Sequence, residues 1–328
     1  MTKRPPLVVP FSRLAWALCG ALLLFSFTAV AQTAASRTAR EISAPEIKNL
    51  FWQPNQIQQG SPAFFTVEVN RAPARVTGTW LDKTLTFFKS AQDPKIWYAL
   101  AGVDLATQAG SYPVKVVAVL ADGKRLSMEK PVEVAAKDFK TGAIEVPEKY
   151  VEPNAAEQRE IARDELLKKR AYAHIIEKPL WSGDFIKPVD GPATENFGET
   201  RVLNQEEQST HRGTDFEVKE GTPVLASNSG TVVLAKDMFY EGKCVIIDHG
   251  GRFYTTYMHL SKIEVRLGQH VKKGTQIGLS GATGRVTGPH MHMGVRWNGA
   301  YLDPVQMLGL TLPKLDEGRT KAARRGGD

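Results

Sequence analysis

Short apolar runs, cut every few residues by Gly, Pro or Asp, fill this chain from residue 41 onward and restrict it to a mainly β architecture. Phe64 to Val69, Val76 to Leu81, Trp97 to Leu100, Tyr112 to Leu120 and Leu126 to Val134 alternate or are rich in β-branched residues, and Gly60, Pro62, Asp93, Pro94, Gly110, Asp122 and Gly123 stand between them. A period of two puts alternate side chains on one face, so this spacing predicts an antiparallel β-sandwich over 41–137. A second set of strands, including Thr231 to Leu234, Cys244 to Asp248 and Phe253 to His259, is punctuated by Gly221, Gly230, Gly242, Gly250, Gly268 and Gly278. It predicts a second all-β domain over 181–312, and 328 residues suffice for two cores.

Between the two sets the texture changes. Residues 138–180 are rich in Glu, Arg, Lys and Leu, and Asn154 with Glu157 makes a capping box ahead of a helix from Ala155 to Ala173. This stretch is expected to be a linker with a helix in it, its charges a solvated face and its His174 incidental. Within the sandwich, Gly110 to Val114 followed by Asp122 and Gly123 resembles the late hairpin of an immunoglobulin-like module, and an immunoglobulin-like sandwich is the expectation for 41–137. Residues 313–328, with Lys321, Arg324 and Arg325, are expected to form a disordered basic tail.

The N-terminus reads as an export signal. Lys3, Arg4 and Arg13 precede an uncharged stretch from Leu14 to Val30, and Ala29, Val30, Ala31 offers a cleavage site before Gln32. Residues 1–31 are therefore expected to be a signal peptide, leaving no stable membrane anchor and a product in the periplasm or cell envelope. Cys19 lies inside the apolar run behind Leu18, which does not suit a lipoprotein signal. Loss of the leader removes three positive charges and no negative ones, so the formal charge falls from +7 to +4. That modest charge and export together argue against nucleic acid as a partner.

Two cysteines, Cys19 and Cys244, can build neither a disulfide framework nor a Cys-rich zinc site, so any metal chemistry must come from His and carboxylates. Cys244 sits in an apolar strand pattern and reads as a buried, inert thiol. Six of the seven His fall between 211 and 292. His211 to Asp215 is an HxGxD run and His290 to His292 an HxH run. On an extended strand positions i, i+2 and i+4 face the same way, so both runs can direct side chains into one cleft. Imidazoles with one carboxylate suit a catalytic zinc site of three protein ligands, and His259 leaves spare imidazole for acid and base work. His249, before a Gly pair, reads as structural and His270 as surface; Met291 and Met293 point to the face opposite the HxH histidines.

His211 to Asp215, the stretch Tyr257, Met258, His259, Leu260 and the run Gly281 to His292 resemble the lysostaphin/LytM-type zinc endopeptidases that cleave peptide cross-links of bacterial peptidoglycan. Asn196, Phe197, Gly198, then Gly221, Thr222, Pro223, Val224, and later Asp303, Pro304 add to the likeness, which covers about residues 185–307. It implies a LytM-type antiparallel β-sheet peptidase domain holding one Zn2+ per chain. The family's metal ligands fall on His211, Asp215 and His292, and its catalytic histidines on His259 and His290, with no position departing from the pattern. The implied activity is hydrolysis of peptidoglycan cross-link peptides by a metal-activated water.

Two other classes compete. Some relatives of this family have lost ligands and act as non-catalytic envelope regulators that activate other cell-wall hydrolases; the five-residue set here is intact, and an envelope protein regulator is a compatible partner. A biotinyl or lipoyl carrier-like fold is suggested by Gly268, Gly274 and Gly278, but it leaves the His pattern unexplained.

Overall fold

The computed structural model describes residues 44–205 and 207–315; the expected signal peptide and residues 316–328 of the expected tail lie outside the described residues. The protein is mainly β, as the alternating runs require. Over the N-terminal part, one sheet orders Ile47–Gln53, Pro62–Val69, Ile96–Gly102 and Phe88–Lys89, and a second orders Ile57–Gln58, Arg125–Ala135, Gly110–Val119, Arg75–Trp80 and Lys83–Leu85. All these pairings are antiparallel except that of Ile57–Gln58 with Arg125–Ala135. The sheets meet where Phe65 packs edge-on against Trp80 at 5.0 Å, both rings fully buried.

The C-terminal part is built on a seven-stranded antiparallel sheet. Thr214–Phe216, Met291–Trp297, Phe253–Leu260, Gly242–Asp248, Gly230–Met238 and His270–Val271 follow in that order, and Ala300–Leu302 pairs with Met291–Trp297. Strand parity divides the side chains sharply. Val245, Ile247, Tyr257, Met291, Met293 and Val295 enter the main core, whereas Cys244, Ile246 and Tyr254 face the other way. Met291 and Met293 are thus core residues and Cys244 a buried thiol, as expected.

The second face is covered in part by the Ala155–Ala173 helix, whose Leu167, Ala171 and Tyr172 pack on Val233, Leu234, Cys244, Ile246 and Tyr254. The capping box forms as expected, with Asn154 accepting from the Glu157 amide and Glu157 from that of Asn154. Its charged face is less solvated than the sequence suggested. Asp164 is buried and accepts the Phe239 amide at 2.8 Å, and Lys168 pairs with Glu241. Asp164, Lys168 and Ala171 recur at three and four residues, so they form the stripe that meets the sheet. His174, expected to be incidental, ends the helix with its ring 3.1 Å from the buried Asp248. Just before the helix, Thr141–Ile144 pairs in parallel with Thr200–Leu203, and Glu207–Thr210 completes a three-stranded sheet.

The two parts share one continuous core. Trp181 meets Phe64 and Phe88 edge-on at 6.3 and 5.2 Å. The Asp303 amide donates to the Gly60 carbonyl, the Tyr301 amide to Asp104, and Lys137 pairs with Asp303 at 3.0 Å. Of the expected tail, residues 313–315 are tied down: the Gly183 amide donates to Pro313 and the Leu315 amide to Ser182.

Candidate metal centre and cleft

Asp215 stands in the short Thr214–Phe216 strand directly opposite His292 of Met291–Trp297, so their side chains share a face. His211 arrives differently. The HxGxD run is not one extended strand: residues 211–213 leave the ladder, and the strand begins at Thr214. The His211 amide donates to Glu199 and its carbonyl accepts from Gly198, which pins the turn. Gly213 is required there, because a Cβ on it would come within 2.3 Å of His292 Nε2.

These three residues converge. His211 Nε2 lies 3.1 Å from Asp215 Oδ1 and 3.0 Å from His292 Nδ1, and His292 Nδ1 lies 2.9 Å from Asp215 Oδ1. The rest of each group is engaged from outside. His211 Nδ1–H donates to the Asn196 carbonyl at 2.9 Å, which in the neutral ring turns the Nε2 lone pair toward the other two atoms. Asp215 Oδ2 accepts from Asn196 and from Arg201, each at 2.9 Å. Burial opposes ionisation of Asp215, but the imidazoles of His211 and His292 beside it outweigh this and hold its carboxyl well below the usual range. Burial lowers His292 to about 4, keeping it neutral near pH 7.

The set fits a tetrahedral ion. Bonds of about 2.0 Å at tetrahedral angles place ligand atoms about 3.3 Å apart, close to the triangle observed, and two neutral imidazoles with one carboxylate are donors that zinc accepts. Among the described residues this trio is the cluster of ligand atoms compatible with a metal.

Two further imidazoles border the trio. His259 stands at the end of the Phe253–Leu260 strand, next to Met258, which pairs with His292. Alternation would send His259 to the core with Tyr257. A bulge against Lys243 and Val245 and a left-handed φ of +62° turn it to the cleft instead. Its Nδ1–H donates to the Thr283 carbonyl at 2.8 Å, which leaves Nε2 available, and burial followed by the neighbouring His292 and His290 pushes its pKa well below the ordinary value. His290 donates Nδ1–H to Gly288 at 2.8 Å and holds Nε2 3.6 Å from Asp215 Oδ1. The rings of His259 and His290 lie 4.9 Å apart. The HxH run therefore divides geometrically, with His292 inside the trio and His290 beside it.

His249 and His270 stay outside this group. His249 is buried between the Ser229 carbonyl and Thr255, and His270 is exposed. Sequence reading gave no role to Arg201, in the Thr200–Leu203 strand, or to Thr283, in the loop before Met291–Trp297, since a single Arg or Thr gives no signal until its neighbours are known. The trio opens on a cleft of about 440 Å³ whose floor is the sheet face bearing Thr256, Met258, His292 and Gly294, and whose walls include Arg201, Tyr240 and Tyr172 of the helix.

The family model described as Peptidase family M23 matches residues 209–304. A crystal structure of a putative peptidase M23 from Pseudomonas aeruginosa is 31% identical, with a TM-score of 0.59 over 77% of this chain and 96% of that one. The peptidoglycan DD-endopeptidase ShyA of Vibrio cholerae is 55% identical over 82 residues, 25% of this chain and 19% of ShyA. An uncharacterized metalloprotease of Haemophilus influenzae is 46% identical over 116 residues, 35% of this chain and 24% of that protein. The match thus spans about a fifth to a quarter of the length of these curated relatives.

Proposed function

Because the chain belongs to peptidase family M23, we propose that it is a zinc-dependent endopeptidase of the cell envelope that hydrolyses peptide cross-links of bacterial peptidoglycan. The observation that carries this reading is the triangle of His211 Nε2, Asp215 Oδ1 and His292 Nδ1 at the floor of an open cleft, flanked by two imidazoles that each keep a nitrogen in reserve. The curated relative ShyA carries the DD-endopeptidase name.

In this proposal His211, Asp215 and His292 would hold one zinc ion, which would supply Lewis acidity to a water and to the scissile carbonyl. Asn196 and Arg201 hold Asp215 Oδ2 so that Oδ1 faces His211 Nε2 and His292 Nδ1, and the Asn196 carbonyl fixes the tautomer of His211. His259 and His290 handle protons. Each is oriented through Nδ1 by a backbone carbonyl, so each presents Nε2 as the atom that takes up or gives a proton or stabilises a developing oxyanion. The N-terminal sandwich contains no His and is assigned to targeting rather than chemistry. Export through the expected leader would deliver the enzyme to its polymer.

Metal analysis of the purified protein should find one zinc per chain, and purified peptidoglycan should yield new peptide termini, seen by mass spectrometry, that vanish after chelation and return with zinc. Metal-free protein that cuts undiminished would overturn the proposal.

A further inference from the structure

Building on the peptidase reading, we infer that Arg212 and Arg296 form a carboxylate-binding pair at one end of the cleft, selecting peptides with a free carboxylate about three to four residues from the scissile bond. Arg296 lies on the same strand and the same face as His292, four residues on, which places its backbone on the order of 13 Å from that ligand. An extended peptide advances about 3.3 Å per residue, so about three to four residues cover that span. Arg212 follows His211 directly.

The path between ligand and arginine is bare. Gly294 stands between them, and a Cβ there would meet nothing nearer than Thr256 Cβ at 3.5 Å, an ordinary contact. Packing does not demand glycine at that position, but an extended chain lying on the floor would.

The hydrogen bonds and charges also set this pair apart. Elsewhere in the cleft Arg201 is paired with Glu199 and Asp215, and Lys168 with Glu165 and Glu241. Arg285 bonds Ser209 and stacks on Tyr240. Among the described residues neither Arg212 nor Arg296 has an ion pair, and Arg296 Nε is buried without a partner. Asp104, facing the same hairpin, is engaged by the Tyr301 amide. Tyrosine faces hold the two guanidinium groups in place: Arg296 lies 4.1 Å from the Tyr172 ring and 5.2 Å from that of Tyr301, and Arg212 lies 4.9 Å from Tyr301. Planar guanidinium groups fixed by stacking and lacking a counter-ion suit bidentate capture of a carboxylate.

The test uses zinc-loaded full-length protein and synthetic cross-linked peptides in matched forms: free or amidated at the chain terminus, and free or amidated at an acidic side chain. Wild type should favour one acid over its amide by at least about tenfold in kcat/KM, and the amidation that abolishes the preference identifies which carboxylate is read. Arg212→Gln and Arg296→Gln should each cut that preference severalfold or more, chiefly through KM, with zinc content and the rate on the amide unchanged. Arg296→Lys should restore part of it. Equal rates on acid and amide in wild type, or variants that slow both substrates alike, would overturn the pair; the second pattern marks a merely structural role for Arg296 against Tyr172, and exposed Arg212 keeps the test independent of the helix. If wild type cuts neither form, the peptidase reading fails on its own, and fluorescence polarisation of labelled acid and amide peptides decides the pair, equal affinities refuting it.

Discussion

His259 owes its place in the cleft to one backbone angle: without the +62° φ and the adjoining bulge, strand alternation would bury it beside Tyr257. Its identity as a candidate was legible in the sequence, but its direction was not, because a bulge is set by the partner strand. The same holds for HxGxD, where the local turn rather than an extended strand brings His211 to Asp215. Under the proposed function, ligands and proton-transfer groups should fail differently. His211→Ala or His292→Ala removes one of three donors, so zinc content and turnover should fall together. His259→Ala and His290→Ala should keep zinc by metal analysis while kcat drops on the order of 100-fold or more. His249 offers a pH test away from the site. Burial lowers its pKa from 6.5 to about 4, so the fold favours the neutral ring. Its contribution is complete above about pH 6.5 and is lost as pH falls toward 4. Urea unfolding at several pH values should therefore show wild type losing up to about 3 kcal/mol of its advantage over His249→Gln across that window.

At the scale of elements, the helix from Ala155 to Ala173 was legible down to its capping box, since caps are local chemistry. Its docking was not, because Asp164 and Lys168 read as solvated charges until Phe239 and Glu241 are seen opposite them. The pairing of Thr141–Ile144 with Thr200–Leu203 was equally hidden, as four residues of weak β character carry no partner address. Both elements wall the cleft, so residues 138–180, expected to be a linker, help to shape it. Asp164→Ala removes the buried acceptor of the part-buried Phe239 amide and should cost about 1–2 kcal/mol. Hydrogen exchange should show the helix and residues near 239 opening together, while the Met291–Trp297 strand keeps its protection.

For the whole molecule, the mainly β class followed from the alternating runs, whereas the core shared between the two strand-rich parts did not. Trp181 carries much of that junction, buried against Phe64 and Phe88 from the sandwich. Trp181→Ala should cost about 3–5 kcal/mol in chemical denaturation and make the segment around 137–181 the first site of limited proteolysis. The His211, Asp215 and His292 trio also joins distant parts of the chain, since His211 and His292 are 81 residues apart, and nearby the bonds between Val146 and Asn204 join positions 58 apart. Closing such loops is entropically slow compared with forming a local turn. A nascent chain therefore carries His211 and Asp215 before it owns the trio, and synthesis must pass His292 before the three side chains can meet. The order of assembly itself delays the proposed zinc site until the chain has been made past His292 and has folded.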